Sequence, residues 1–307
     1  MKTERPLIKL YRMRTFGDKL SDTFDFVGEN FRTLLKNVTY LLLPVALVQT
    51  FFMNGFMTSY MKNLMSLGGD LGLIQQCLLP MSLYALVQFV ATTLVIAVVY
   101  TMMQLYEQRP ERLRGVTFDQ LRPGVVQKSV RQLALLVTGI VVFAVIVLLM
   151  ALMIAASTYL ILPVIIIAFV VFPLFALVCP IYLFEDTGIV SAYAKSVRLG
   201  WKTWGGIIGV MIVLYIITSI ISGLIATPWY IMVTMNSLFA GGQGVTAGFV
   251  SSFGFTVIQY LLGVVSSFAA NCMMALMAIG IAYQYGHACD KVDGVSVDHG
   301  IENFETL

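Results

Sequence analysis

Charge is scarce in this chain: Lys, Arg, Asp and Glu make up 11% of 307 residues, against about 25% in soluble domains. So few charges cannot solvate the surface of a globule this size, which excludes an ordinary water-soluble domain. Histidine is rarer, with only His287 and His299, and both fall beyond the last apolar stretch. Cys77, Cys179, Cys272 and Cys289 have no paired spacing, so neither a disulfide framework nor a structural metal site is expected. A phosphate-binding Gly-x-x-x-x-Gly-Lys loop, a nucleophile elbow and a His-Glu-x-x-His helix are all missing. These gaps leave no catalytic residue set, no cofactor and no metal to expect. The composition also rules out a disordered chain and a nucleic-acid binder.

What the chain does have is apolar residues, 59% of the total. They lie between clusters of charge. Lys36 to Lys62 encloses 25 uncharged residues, Asp70 to Glu107 36, Arg131 to Glu185 53, and Lys202 to Asp290 87. A membrane span takes about 20 residues to cross a hydrocarbon core of roughly 30 Å. The first two gaps hold one span each. The third holds two with a turn near Ser157, Thr158 and Tyr159, and the fourth holds two around the small polar stretch Asn236 to Ser252. The spacing predicts six spans, at about 38–60, 81–106, 132–156, 160–184, 205–234 and 254–284. The fold class is therefore all-α, a polytopic membrane bundle of six transmembrane helices. Its expected parts are an N-terminal arm over 1–36, a membrane domain over 37–285 and an acidic tail over 286–307.

With six spans both termini share one side of the membrane, and 18 of the 19 Lys and Arg fall on that side. Only Lys62 lies opposite. Basic residues concentrate on the cytoplasmic side, so an N-in, C-in topology is expected. The first 36 residues are charged throughout, so the first span is expected to act as an uncleaved insertion signal.

Each odd-numbered span is preceded by an amphipathic stretch. Before span one, Phe16, Leu20, Phe24, Val27, Phe31 and Leu34 recur every three or four residues, the spacing of one helix face. Before span five, Ile189, Tyr193, Val197, Trp201 and Trp204 form an apolar stripe, opposite Ser191, Lys195, Arg198 and Lys202. Before span three a weaker pattern, interrupted at Pro123 and Gly124, resumes at Val126, Val130 and Leu133. Lys128-Ser129-Val130-Arg131 repeats as Lys195-Ser196-Val197-Arg198, each just ahead of a span. The plan reads as three repeats of a cytoplasmic amphipathic helix plus a hairpin. Pro163, Pro173 and Pro180 predict kinks in span four.

The segment Pro180-Ile181-Tyr182-Leu183-Phe184-Glu185-Asp186-Thr187-Gly188-Ile189, followed by Ala192, Ser196, Leu199, Trp201, Lys202 and Trp204, resembles a recurring bacterial signature. So does the opening with Phe24, Asn30, Phe31, Arg32, Leu34 and Leu35, then Leu43 and Pro44. It is similar to the membrane domain attached to some glycerophosphoryl diester phosphodiesterases and to stand-alone six-span relatives with no assigned activity. The resemblance implies a bacterial inner membrane and six spans. No soluble catalytic segment accompanies it, so diesterase activity does not carry over.

Two functions fit. In one, a non-enzymatic membrane protein engages phospholipid, another membrane protein or its own copy through a cytoplasmic basic and aromatic surface of Lys128, Arg131, Lys195, Arg198, Trp201, Lys202 and Trp204. Glu185 and Asp186 are expected to pair with Lys195 or Arg198 there. In the other, the bundle is a permease for a small or lipidic solute. The predicted spans contain no ionisable side chain apart from Cys and Tyr, which argues against proton coupling through carboxylates. Their polar residues, among them Gln49, Asn54, Gln88, Gln259, Ser267, Asn271 and Gln284, are expected to bond between helices.

Overall fold

The structure is a computed structural model, and it describes residues 6–65, 71–239 and 245–295. Eight α-helices follow in order: α1 (Phe16–Met65), α2 (Leu71–Gln108), α3 (Phe118–Ala156), α4 (Ile161–Val171), α5 (Val178–Phe184), α6 (Ile189–Phe239), α7 (Val245–Val250) and α8 (Phe253–Asp293). Among the described residues there is no strand. Among the described residues six helical stretches are long and apolar enough to cross a membrane, the fourth formed jointly by α4 and α5. This is the architecture of an integral membrane protein.

The amphipathic stretches run into their spans without a loop, so α1 is 50 residues long, α3 39 and α6 51. A continuous helix keeps each backbone carbonyl bonded where apolar surroundings offer no water. Pro123 and Gly124 do not interrupt α3, contrary to the sequence expectation. The glycine is needed for contact, because a Cβ there would lie 2.7 Å from the Thr101 methyl. α6 carries one irregularity, Thr203 with φ −127° and ψ 18°, at the junction of amphipathic stretch and span.

Of the three prolines expected to kink span four, Pro173 alone falls at the break, in the short 3₁₀ turn Phe172–Phe175. Pro163 and Pro180 sit in the first turns of α4 and α5, where a missing N–H leaves no bond unmade. α3 ends at Ala156, and Ser157 turns the chain in extended conformation, as the sequence places it.

The chain divides into two compact units that do not follow the three sequence repeats. One comprises residues 1–34, 96–215 and 276–307, the other 35–95 and 216–275.

Candidate functional site

The first unit contains the residues expected to form a basic surface, and most of them serve the protein itself. α5 stops at Phe184, Glu185 caps it, and Asp186 adopts φ 51°, the left-handed position that usually ends a helix on glycine. The last carbonyls of a helix have no partner within it. Here Lys128 Nζ donates to the Leu183 carbonyl at 2.8 Å. Arg131 donates to the carbonyls of Tyr182 at 2.6 Å and Thr187 at 3.0 Å, and pairs with Asp186 at 2.6 Å. Burial, the largest influence on Lys128, lowers its pKa.

The second copy of the Lys-Ser-Val-Arg motif grips the same turn from α6. Lys195 Nζ lies 2.8 Å from both Glu185 carboxylate oxygens. Ser196 donates to the Leu174 carbonyl at 2.6 Å. Arg198 pairs with Asp293 of α8 at 2.9 Å, and Lys195 reaches that carboxylate at 3.6 Å. Glu185 also accepts a bond from the Tyr285 hydroxyl at 2.6 Å, and that hydroxyl lies 3.0 Å from the Tyr11 hydroxyl. The expected Glu185–Lys195 pair is present. Asp186 bonds Arg131 of α3 instead of Lys195 or Arg198.

Large apolar side chains remain outward beside Arg198 and Lys202. Trp201 is 65% exposed and Val190 82%, with Val197 and Lys202 also exposed. Trp204 is half-buried, its indole N–H donating to the Val170 carbonyl at 3.0 Å. The buried face of this part of α6 is Ala192, Ser196, Leu199, Gly200 and Thr203. That face is neither of the stripes read from the sequence. Its small side chains allow close approach: a Cβ on Gly200 would stand 3.0 Å from the Leu174 Cα.

The start of α1 repeats the arrangement. Lys19, Thr23, Phe26 and Asn30 are buried, whereas Phe16, Phe24 and Phe31 are exposed. In α3 Lys128 and Gln132 are buried while Val126, Val130 and Leu133 are exposed. Each of the three stretches thus leaves large apolar side chains outside and buries polar ones, alongside buried Phe26, Leu121, Val125 and Leu199. The first residues of the acidic tail are helical, since α8 continues to Asp293, which is held by Lys195 and Arg198. Asp298, Glu302 and Glu305 lie outside the described residues.

In the second unit the polar span residues bond to one another, as expected. Gln49 donates to Gln88, and Asn271 donates to Gln49 at 3.2 Å. Thr50 and Ser267 hydroxyls lie 3.1 Å apart, Trp229 Nε1 donates to Asn54 at 2.8 Å, and Asn236 donates to Gln259 at 3.1 Å. A cavity of about 600 Å³ opens here, lined by residues including Phe51, Asn54, Thr58, Pro80, Gln259 and Tyr260. Its wall is mostly apolar with uncharged hydrogen-bonding groups.

No family model, no curated protein and no solved structure matches this chain.

Proposed function

We propose that the protein is a non-enzymatic membrane component that engages lipid through the outward apolar faces of its three amphipathic stretches. The observation that carries this reading is that all three leave large apolar side chains outside while burying polar ones. In water a helix buries its apolar stripe, whereas these helices expose Phe24, Phe31, Val126, Val130, Val190 and Trp201 and bury Lys19, Asn30, Lys128 and Ser196. That distribution is favourable where the surrounding medium is apolar. Trp201 with Lys202 beside it suits the boundary between hydrocarbon and headgroups, where an amphipathic ring and a snorkelling amine are both accommodated. The basic surface read from the sequence narrows to Lys202 and Trp201, since Lys128, Arg131, Lys195 and Arg198 hold the turn at 182–187 and Asp293. The resemblance to the diesterase-linked membrane domain points to the bacterial inner membrane, and the placement of Lys and Arg puts both termini on the cytoplasmic side.

Spin labels placed singly at Phe24, Val126 and Val190 in reconstituted vesicles test it. At all three sites accessibility to oxygen should exceed accessibility to a water-soluble nickel chelate. The reverse ranking at two or more sites would overturn the proposal.

A second reading, a permease for a lipidic solute, is favoured by the cavity of the second unit. Filling it with Gly55→Leu should slow translocation of a fluorescent phospholipid in proteoliposomes several-fold. Proteoliposomes of the unaltered protein that move lipid no faster than empty vesicles would exclude it.

A further inference from the structure

The cavity of the second unit lies at one level of the spans. Asn54, Thr58 and Ser59 stand near the end of the first span, Leu79 at the start of the second, Asn236 at the end of the fifth and Gln259 near the start of the sixth. In the six-span scheme these are all non-cytoplasmic span ends, where hydrocarbon gives way to the polar layer of the bilayer. In a glycerolipid that is the depth of the ester carbonyls. Phe51 and Leu79 of the wall are exposed, so apolar surface borders the cavity.

Its chemistry is uncharged and rich in donors. No Asp, Glu, Lys, Arg or His is among the described lining residues, so a charged headgroup finds no counter-ion there. The Trp229 indole N–H can only donate, so it engages the Asn54 amide oxygen and leaves the Asn54 –NH2 for a ligand. Asn236 donates to the Gln259 oxygen, which leaves the Gln259 –NH2 and the Asn236 oxygen. Tyr260 and Thr256 donate their hydroxyls to the carbonyls of Leu47 at 2.8 Å and Ser252 at 3.2 Å. The wall thus offers two amide –NH2 groups against one amide oxygen, with the Thr58 and Ser59 hydroxyls able to do either. Such a wall favours a ligand that brings acceptors. At roughly 30 Å³ per heavy atom, a water's share of its liquid, a cavity of about 600 Å³ holds about 20 atoms. That is room for glycerol ester linkages and part of one chain, but not for a whole two-chain lipid.

We propose that this cavity binds the ester region of a diacyl glycerolipid. The ester carbonyls accept from the Asn54 and Gln259 amides, one chain lies along the apolar wall, and the headgroup stays outside. Selection is therefore by linkage and not by headgroup: a dialkyl ether lipid has no carbonyl to offer. The inference rests on the same cavity as the permease reading and names the lipid class it takes, but it requires binding alone.

The test is photolabelling of the full chain in nanodiscs by a trace phosphatidylcholine with a diazirine close to one ester. Three matrices are compared: diester phosphatidylcholine, diester phosphatidylglycerol and dialkyl ether phosphatidylcholine. Labelling of cavity peptides is normalised to that of α3, where Val141, Phe143 and Leu148 are exposed and meet any lipid. The normalised label should be equal in the two diester matrices. In the ether matrix it should rise about tenfold, as loss of two neutral hydrogen bonds by the competing bulk lipid predicts. Gly55→Leu fills the cavity and should reduce the label to background; a Cβ there meets only Pro80, at 3.8 Å. Gln259→Met keeps the length without the amide and should shrink the gain in the ether matrix. Unequal labels in the two diester matrices, no gain in the ether matrix, or a label that survives Gly55→Leu would overturn the site. Ester-selective label without lipid translocation would remove the permease and keep the site, whereas translocation without ester selectivity would remove the site alone.

Discussion

Glu185 ties four elements of the first unit together. It caps α5, accepts both bonds from Lys195 of α6 and one from Tyr285 of α8, and through Tyr285 reaches Tyr11 of the N-terminal arm. The Lys195 and Glu185 side chains are mostly buried, so removing one leaves the other's charge poorly matched. In a double-mutant cycle of Glu185→Gln and Lys195→Met, each single variant should unfold at lower temperature and the coupling should be about 1–3 kcal/mol; zero coupling would mean the pair is solvated. His287 gives a second prediction. It lies beyond the sixth apolar stretch, and its Nδ1 accepts the Arg14 backbone N–H at 3.0 Å, so the ring must be unprotonated there. Burial, then the cations Lys19, Lys291 and Arg14, hold it at about 4 against 6.5 in the open chain. Between those values the unfolded chain takes up the proton and the folded chain does not. Stability should therefore be full above pH 6.5 and fall as pH drops towards 4. His287→Gln should flatten that decline, as read by melting temperature at pH 7.5 and pH 5. Identical declines in both proteins would count against this account of His287. The Glu185–Lys195 pair could be read from the sequence because ten residues and one turn separate the partners. The Arg198–Asp293 pair could not, since its partners are 95 residues apart and only the folded packing brings them together.

At the scale of elements, helix position was legible and helix orientation was not. Runs of uncharged residues mark the spans whatever packs beside them, so α1, α3 and α6 appear where the gaps place them. Periodicity identifies which residues share a face, but it says nothing about the medium that face meets. Phe16, Phe24 and Phe31 are exposed, yet Lys19, Thr23 and Asn30 turn inward together with Phe26. On α6 the inward face is made of small residues, a pattern that hydrophobicity alone passes over and that close helix approach in membranes favours. Gly200→Val should therefore cost about 1–3 kcal/mol by forcing α6 off the Leu174 backbone, while Val190→Ala on the exposed face should leave the melting temperature unchanged. If the two substitutions behaved alike in thermal unfolding, the assignment of faces would be wrong. The Lys-Ser-Val-Arg repeat acquires a local meaning at this scale, since its two copies hold the same turn between α5 and α6.

At the scale of the whole molecule, six apolar helices establish an integral membrane protein, and the proposed orientation rests on the placement of its cations. Reporters fused after Leu307 or inserted within 109–128 should read cytoplasmic, and one near Gly242 should read external; an external reading within 109–128 would break the six-span scheme. The central claim is that the amphipathic stretches present their apolar faces to lipid, and Trp201 tests it most directly. The chain has three tryptophans, so Trp204→Phe with Trp229→Phe leaves Trp201 as the sole indole. In reconstituted vesicles its emission should be blue-shifted, quenched by lipids brominated near the headgroup end of the acyl chain, and little affected by aqueous acrylamide. Red-shifted emission quenched by acrylamide and untouched by brominated lipid would contradict it.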